Sequence, residues 1–283
     1  MRGGLSINMS AELPRADRWG RLASTDENEQ AIAMLESIGA LPSERAARTS
    51  FLAALALAPG ASVLDVGAGT GVVTLDVAQR VRRGGHVVAL DPHPALLAVA
   101  QAKAQRAGLD AVLETCVGDA RALPWPAASF DAALCHWLLI HVAPPATIVT
   151  ELCRVVRPGG KVLCVEADWE TAVVNAGDRA VTRAILHASC DRHLDGWMGR
   201  KLRSLAIGCG LRDVRVLPLA VIDTGEDGDG WLDYLRARPA IAEAAGTIAG
   251  EQGAAWRADL EAAVREGRYF FGVTQFAVHG VVG

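Results

Sequence analysis

The chain has 283 residues, of which 51% are hydrophobic and 21% are charged, and its mean hydropathy is +0.22. This composition excludes a disordered or fibrous protein, because the chain has enough apolar residues to form a large core. The formal net charge is −4 at pH 7. That value argues against a nucleic-acid partner, since phosphate binding needs a basic surface.

The first ten residues lack the apolar stretch of a secretory signal, and no apolar run in the sequence is long enough to span a membrane. The six cysteines are widely separated and form no C-x-x-C pair, so we expect free thiols and no metal site. These features predict a cytoplasmic protein without a membrane partner.

The predicted elements begin with two helices within residues 26–57, which Gly39 and Pro42 separate, with Ser43 as the N-cap of the second helix. From residue 62 onward, short apolar runs alternate with segments of helical spacing. Strands are predicted over residues 62–66, 86–90, 112–117, 130–135 and 161–166, and helices over residues 70–81, 95–107 and 146–156. This alternation is typical of a doubly wound, mostly parallel sheet, whose ligands bind at the carboxyl ends of the strands.

The rest of the chain has weaker patterns. Residues 168–197 and 225–268 are predicted as helical or irregular insertions, residues 199–209 as a helix, and residues 214–221 and 271–282 as strands. We therefore predict that residues 1–60 and the two insertions form a helical cap, and that residues 61–283 form the α/β domain.

A glycine-rich loop, residues 65–71 (DVGAGTG), follows the first predicted strand of the α/β segment. Glycines let the backbone approach a ligand closely, and the start of the next helix offers unpaired N–H groups. Asp91 ends the next strand, 20 residues after Gly71, where a carboxylate can bind a ribose diol. The loop and Asp91 together indicate a site for an adenosine nucleoside.

Two details separate the candidate ligands. A dinucleotide site spaces its glycines G-x-G-x-x-G, whereas here the third glycine comes one residue early and Val72 holds the expected position. The carboxylate of Asp65 would repel a pyrophosphate but suits an ammonium group, and Asp119, after the third strand, can bind an adenine amino group. The three acids fit a ligand with an amino-acid end, a ribose and an adenine, although each also fits a structural role as a cap or turn residue.

The segments VLDVGAGTG, ALD, GDA, FDAALC and RVVRPGG, between residues 50 and 166, resemble the class I S-adenosylmethionine (SAM)-dependent methyltransferases. The resemblance is to the small-molecule subgroup that is similar to the ubiquinone and menaquinone biosynthesis enzymes. It implies a Rossmann-like fold with an antiparallel last strand, SAM as cofactor and S-adenosyl-L-homocysteine as product. It also implies that the cofactor is bound by Asp65, Gly67, Ala68, Gly69, Gly71, Asp91, Pro92, Asp119, Ala120, Cys135 and His136.

Methyl transfer from a sulfonium requires alignment and desolvation, needs no metal, and needs a base only if the acceptor loses a proton. The candidate catalytic residues are His136, His141 and Glu166. His141 resembles the histidine of a Glu-His-Val element in ubiquinone-type members, although Ile140 replaces the glutamate. Both histidines also fit a structural role, and Glu166 fits a role in binding the backbone of an insertion.

Aromatic and acidic residues near strand ends or in the insertions are candidates for the acceptor pocket: Trp137, Asp168, Trp169, Trp231 and Tyr234. The aromatic residues also fit a role in packing the cap. Motifs typical of nucleic-acid, arginine and catechol methyltransferases are missing, so we expect a small-molecule acceptor, for example from secondary metabolism. The sequence leaves open which atom is methylated and whether the chain forms a homodimer.

Two other kinds of function remain open at this point. The same fold can keep SAM as an aid while it catalyses a cyclisation or rearrangement. A nicotinamide-dependent oxidoreductase or a non-catalytic nucleoside-binding module would use a similar glycine loop.

Overall fold

The computed structural model describes residues 25–226 and 230–283. The strands in these ranges are β1 Ser62–Val66, β2 His86–Asp91, β3 Leu113–Val117, β4 Phe130–His136, β5 Val156–Val174, β6 Arg212–Asp223 and β7 Phe271–Val281. They form one sheet in the order β3-β2-β1-β4-β5-β7-β6. β1 to β5 pair in parallel, and β7 pairs antiparallel with both β5 and β6. The predicted Rossmann-like sheet with an antiparallel last strand is therefore confirmed.

Ten helices accompany the sheet in the described part of the chain. They are α1 Thr25–Ala40, α2 Pro42–Leu55, α3 Thr74–Val81, α4 Pro94–Arg106, α5 Pro145–Val155, α6 Arg179–Asp191, α7 Met198–Gly208, α8 Leu232–Arg236, α9 Arg238–Ala244 and α10 Gly250–Arg265. The predicted insertions thus contain α6 and α8 to α10.

Apolar residues along the central strands alternate between two cores. In β1, Val63 lies in one apolar cluster with Phe51 of α2 and Val77 of α3. The next residue, Leu64, lies in a second cluster with Ile148 of α5. Because helices cover both faces, the central strands are apolar at nearly every position, which explains the continuous apolar runs in the sequence.

Two elements differ from the sequence prediction in length. Helix α3 begins at Thr74, four residues later than predicted. Gly69 and Gly71 have φ values of 53° and 75°, and this left-handed backbone keeps the loop out of the helix. Strand β5 continues to Val174, well beyond the predicted end, because its second half pairs with β7.

The prediction that Ser43 caps α2 is wrong. Pro42 is the first residue of α2 and Leu41 is its N-cap, so Ser43 already lies inside the first turn. Its hydroxyl donates a hydrogen bond to the carbonyl of Ile222 at 2.6 Å, which links α2 to the edge strand β6.

The division into a cap that includes residues 1–60 and an α/β domain stays a prediction, and residues 1–24 and 227–229 of that cap lie outside the described residues. No described helix is both long and apolar enough to cross a membrane. Within the same ranges, no group of three or more His, Cys, Asp and Glu is arranged to hold a metal ion. Each of the six cysteines is a free thiol.

A matched pair of valine substitutions tests the two-sided core. Val63→Ala shortens a side chain that is 0% exposed and should lower the free energy of unfolding by about 2 kcal/mol. Val216→Ala changes the same residue type in the edge strand β6, where it is 42% exposed, and should cost less than about 1 kcal/mol. Urea unfolding followed by circular dichroism measures both losses, and equal losses would contradict the placement of Val63 in the core.

Candidate active site

A cavity of about 1700 Å³ opens at the carboxyl ends of β1, β2, β4 and β5. A typical small-molecule pocket has roughly 300–1,000 Å³, so this cavity has room for two ligands. Most of the residues predicted for the site line it: Asp65, Gly67, Ala68, Gly69, Asp91, Pro92, Asp119, Ala120, His136, Trp137, His141, Glu166, Trp169, Trp231 and Tyr234. The structure thus brings residues from six separate parts of the sequence to one place.

Three predicted residues do not line the cavity: Gly71, Cys135 and Asp168. A Cβ on Gly71 would lie 2.8 Å from the Cβ of Ala100, so this glycine lets the loop pack against α4. Cys135 is fully buried within β4. Asp168 is fully buried too, and its Oδ1 lies 2.7 Å from Nη2 of Arg200 on α7. The structure therefore does not place Asp168 in the acceptor pocket, because the ion pair holds its carboxylate against α7.

The glycine loop is held by backbone hydrogen bonds to the neighbouring strand. The N–H groups of Gly67 and Ala68 both donate to the carbonyl of Leu90, at 2.8 and 3.0 Å. Gly67 has a φ of 74°, and a Cβ on it would lie 2.9 Å from the side chain of Leu138. Glycine at this position therefore permits both the left-handed backbone and close contact with the segment after β4.

Asp91, the last residue of β2, joins the loop to the start of α4. Its Oδ2 accepts a hydrogen bond from the Gly69 N–H, and its Oδ1 accepts one from the His93 N–H, both at 2.9 Å. The ring nitrogen Nδ1 of His93 lies 3.0 Å from the same Oδ1. A carboxylate offers about four acceptor positions, so Asp91 keeps capacity for the hydroxyl groups of a ligand.

Asp65 lies in β1 and is only 1% exposed. Its Oδ2 accepts a hydrogen bond from the Thr74 hydroxyl at 2.6 Å. Burial raises the pKa of this carboxyl to about 7; the hydrogen bond from Thr74 opposes the rise, and the negative charge of Asp91 adds to it. A cationic group of a ligand in the cavity would therefore favour the ionised form of Asp65.

Asp119 is half-exposed beyond the end of β3 and forms an ion pair with Arg121. Its Oδ1 accepts a hydrogen bond from the Arg121 N–H at 2.9 Å, and its Oδ2 accepts one from the Arg121 guanidinium at 2.8 Å. The hydrogen bonds from this side chain lower the pKa of Asp119. An adenine amino group at this position would share the carboxylate with Arg121.

His136 ends β4, and its ring stacks on that of Trp137 with the centroids 5.0 Å apart. Burial and the positive charge of Arg48 lower the pKa of His136 to about 3, so the ring is neutral at pH 7. In the described ranges no hydrogen bond of good geometry reaches its buried Nε2, although Gln275 interacts with the ring and opposes the fall of its pKa. Such an unsatisfied nitrogen can form a hydrogen bond with a bound molecule.

Glu166 in β5 is fully buried, and its Oε1 accepts a hydrogen bond from the Leu139 N–H at 2.6 Å. Burial raises the pKa of Glu166 to about 8, against the opposing effect of backbone N–H groups of Leu139, Ile140 and Leu138. Glu166 thus binds backbone groups, which is the structural role that the sequence left open for it. The segment that it binds follows β4 and is not part of an insertion.

An aromatic cluster of Trp137, Trp169, Trp231 and Tyr234 forms one wall of the cavity. The ring centroids of contacting pairs lie between 5.0 and 5.4 Å apart. Trp137 has a φ of 55°, which bulky residues rarely adopt, so its backbone is strained where its side chain joins this wall. The cluster both packs the insertions and provides an apolar surface.

The basic residues of the cavity that sequence reasoning missed include Arg192, His193 and Arg238. The His193 ring lies 4.9 Å from the ring of Trp169 and 6.3 Å from that of His141. Arg192 and His193 follow α6, whereas Arg238 begins α9, so they meet through the packing of two helices that are far apart in sequence. No local motif marks such a meeting.

Residues 64–164 match a family model described as a methyltransferase domain. The match covers about a third of the chain and runs from β1 into β5. It includes the glycine loop, Asp91, Asp119 and His136.

The demethylmenaquinone methyltransferase of Symbiobacterium thermophilum is 30% identical over 168 residues, which cover 52% of this chain and 66% of that protein. This chain spans about half the length of the curated relatives that it matches, from 41% to 66%.

Solved structures with 21% identity share the fold. A protein of Bacillus halodurans C-125 has a TM-score of 0.60 and is similar over 83% of this chain and 98% of its own. The [4+2]-cyclase SpnF has a TM-score of 0.51 over 87% of this chain and 85% of its own. Together with the sheet order and the glycine loop, the family and relative matches show that the chain belongs to the class I SAM-dependent methyltransferases, in the group similar to the ubiquinone and menaquinone biosynthesis enzymes.

Proposed function

We propose that this protein binds SAM beside the glycine loop and transfers its methyl group to a small-molecule acceptor. The observation that supports this most is that Asp65, Asp91 and Asp119 line one cavity with room for two ligands. When bound, the sulfonium supplies an activated methyl group. The residues of the chain therefore have to bind and orient the two ligands and exclude water, rather than activate the methyl donor.

The residues present fit the cofactor. Asp91 holds Gly69 and keeps acceptor capacity for a ribose hydroxyl. The buried Asp65 suits the ammonium group, with the carbonyl of Cys135 or His136 as a further acceptor. Asp119 and the backbone of Ala120 are assigned to the adenine.

For an acceptor with a hydroxyl group, we assign His136 to orient that group. Its ring is neutral at pH 7, but a pKa of about 3 makes it a weak base, so we expect Nε2 to accept a hydrogen bond from the hydroxyl rather than to remove its proton fully. Glu166 positions the segment after β4, because its Oε1 is engaged by the Leu139 N–H. His141 lies beside His193, and we assign it to the acceptor end of the cavity.

A second candidate function is a cyclisation or rearrangement that uses the same cavity. It is favoured by the apolar aromatic wall and by the two neutral groups, His136 and a Glu166 whose pKa of about 8 keeps it protonated at pH 7. SpnF, a [4+2]-cyclase, has the same fold, so the fold is compatible with both reactions.

Incubation with methyl-labelled SAM and a panel of small metabolites, read out by mass spectrometry, distinguishes these functions. We expect a labelled product that is heavier by one methyl group. A changed product without label would support the second function instead. No product from any acceptor, with binding of NADH in place of SAM, would contradict both.

The ribose assignment predicts the effect of Asp91→Ala. Loss of hydrogen bonds to a charged carboxylate, and of the contact that orders Gly69, should raise the Kd for SAM by about tenfold to a hundredfold. Isothermal titration calorimetry measures this change. Asp110→Ala is the matched control, because Asp110 is exposed in the turn after α4 and does not line the cavity; unchanged affinity in Asp91→Ala would contradict the assignment.

The raised pKa of Asp65 predicts that SAM binding depends on pH. Asp65 carries a proton below about pH 7 in the free protein, and an ammonium group favours the ionised form, so binding releases that proton. The affinity for SAM should therefore rise from pH 6 to pH 7, by up to about tenfold, and fall above about pH 8, where the α-amino group of SAM itself loses its proton.

Calorimetry in two buffers of different ionisation enthalpy measures the released proton directly. Glu44 and Glu166 also have raised pKa values, of about 7 and about 8, so the comparison needs a variant that isolates Asp65. Asp65→Asn should remove most of the pH dependence. A wild-type affinity that is flat between pH 6 and pH 8 would contradict the ammonium assignment.

A further inference from the structure

Arg238 is a buried cation with no ion-pair partner among the described residues. It is 5% exposed, its Nε donates a hydrogen bond to the carbonyl of Tyr234 at 2.9 Å, and its guanidinium carbon lies 3.7 Å from the centroid of the Tyr234 ring. No carboxylate in the described ranges forms an ion pair with it. Burial of an unpaired charge is costly, so such a group is maintained where a ligand supplies the opposite charge.

The surroundings of Arg238 are also positive. Arg192 lines the same cavity and is charged, whereas His193 is neutral at pH 7, because burial and the charges of His141, Arg238 and Arg192 lower its pKa to about 3. Asp191 lines the cavity as well, but it is exposed and forms no ion pair with Arg192 or Arg238. The end of the cavity beside α6 and α9 therefore has an excess of positive charge.

A second, independent observation points to a hydrogen-bond acceptor in the ligand. Trp231 is 2% exposed, and its indole N–H has no partner in the described part of the chain. Its ring lies 5.4 Å from that of Tyr234, the residue on which Arg238 stacks. Within the described ranges the Trp231 indole N–H thus lacks an acceptor and Arg238 lacks an ion-pair partner, and oxygen atoms of an anion would supply both.

We propose that the cavity around Arg238 and Trp231 is a subsite for an anionic group, a carboxylate or a phosphate, of the methyl acceptor. The apolar body of the acceptor lies against the aromatic cluster, which presents flat ring surfaces beside this subsite. The planar guanidinium binds both anions in a bidentate manner. The assignment of this anion to the acceptor rests on the proposed methyl transfer, and it excludes a cationic acceptor, which Arg238 would repel.

Binding of four small probes tests the subsite without knowledge of the acceptor. Benzoate, phenyl phosphate, neutral benzamide and cationic benzylamine are titrated at low ionic strength, with tryptophan fluorescence and calorimetry as readouts. At least one of the two anions should bind about tenfold more tightly than benzamide, and benzylamine should bind most weakly. Which anion binds more tightly distinguishes a carboxylate from a phosphate subsite.

Arg238→Met keeps most of the side-chain volume and should reduce the preference for the anions over benzamide to less than about twofold. Arg257→Met is the matched control: Arg257 lies on α10, pairs with Glu243 and does not line the cavity, so the preference should persist. If Arg238→Met fails to fold, salt dependence replaces it. Added sodium chloride should weaken the binding of the anions and leave the binding of benzamide unchanged.

Equal affinity of wild type for the anions and benzamide, or no anion binding up to about 10 mM, would overturn the subsite. A preference that survives in Arg238→Met would overturn the role of Arg238. SAM binding is measured in the same samples. Loss of SAM binding with a retained anion preference would refute methyl transfer but not the subsite, whereas SAM binding without that preference would refute the subsite alone.

Discussion

The buried carboxyl of Glu166 ties the end of β5 to the backbone that follows β4, and the arrangement of the cavity depends on this contact. The Leu139 N–H donates to its Oε1 at 2.6 Å, which fixes the segment that contains Leu138. Leu138 in turn occupies the space that a side chain on Gly67 would need. The loop held there reaches Asp91 through the Gly69 N–H. One buried carboxyl thus supports the relative position of three strand ends.

The cavity has opposite electrostatic character at its two ends. The end near the glycine loop is acidic, because Asp65, Asp91 and Asp119 line it. The end beside α6 and α9 is basic, because Arg192 and Arg238 line it. A zwitterionic, sulfonium-bearing cofactor suits the first end, and an anion suits the second. Because Asp65, Asp91 and Arg238 are buried, their charges discriminate between ligands more strongly than surface charges would.

The sequence predicts the central part of the fold because local signals specify it. Strands buried on both faces need continuous apolar runs, and parallel strands bring Asp65, Asp91 and Asp119 to one edge. The start of α3 is mispredicted because left-handed glycines override a helical spacing. Asp168 does not line the cavity because it pairs with Arg200 on α7, a helix that the sequence predicts without showing that it packs against β5.

The acceptor end of the cavity could not be predicted from local patterns, because the residues that form it lie far apart in the sequence. Trp169, His193, Trp231 and Arg238 become neighbours only when α6, α8 and α9 pack together beside the sheet. All four also lie outside residues 64–164, the part of the chain that matches the family model. The cofactor end therefore lies in the part of the chain that matches the family model, whereas the acceptor has to be inferred from the charges and rings of this chain itself. The inference about the acceptor depends most on Arg238, because a buried guanidinium tolerates few ligands other than an anion.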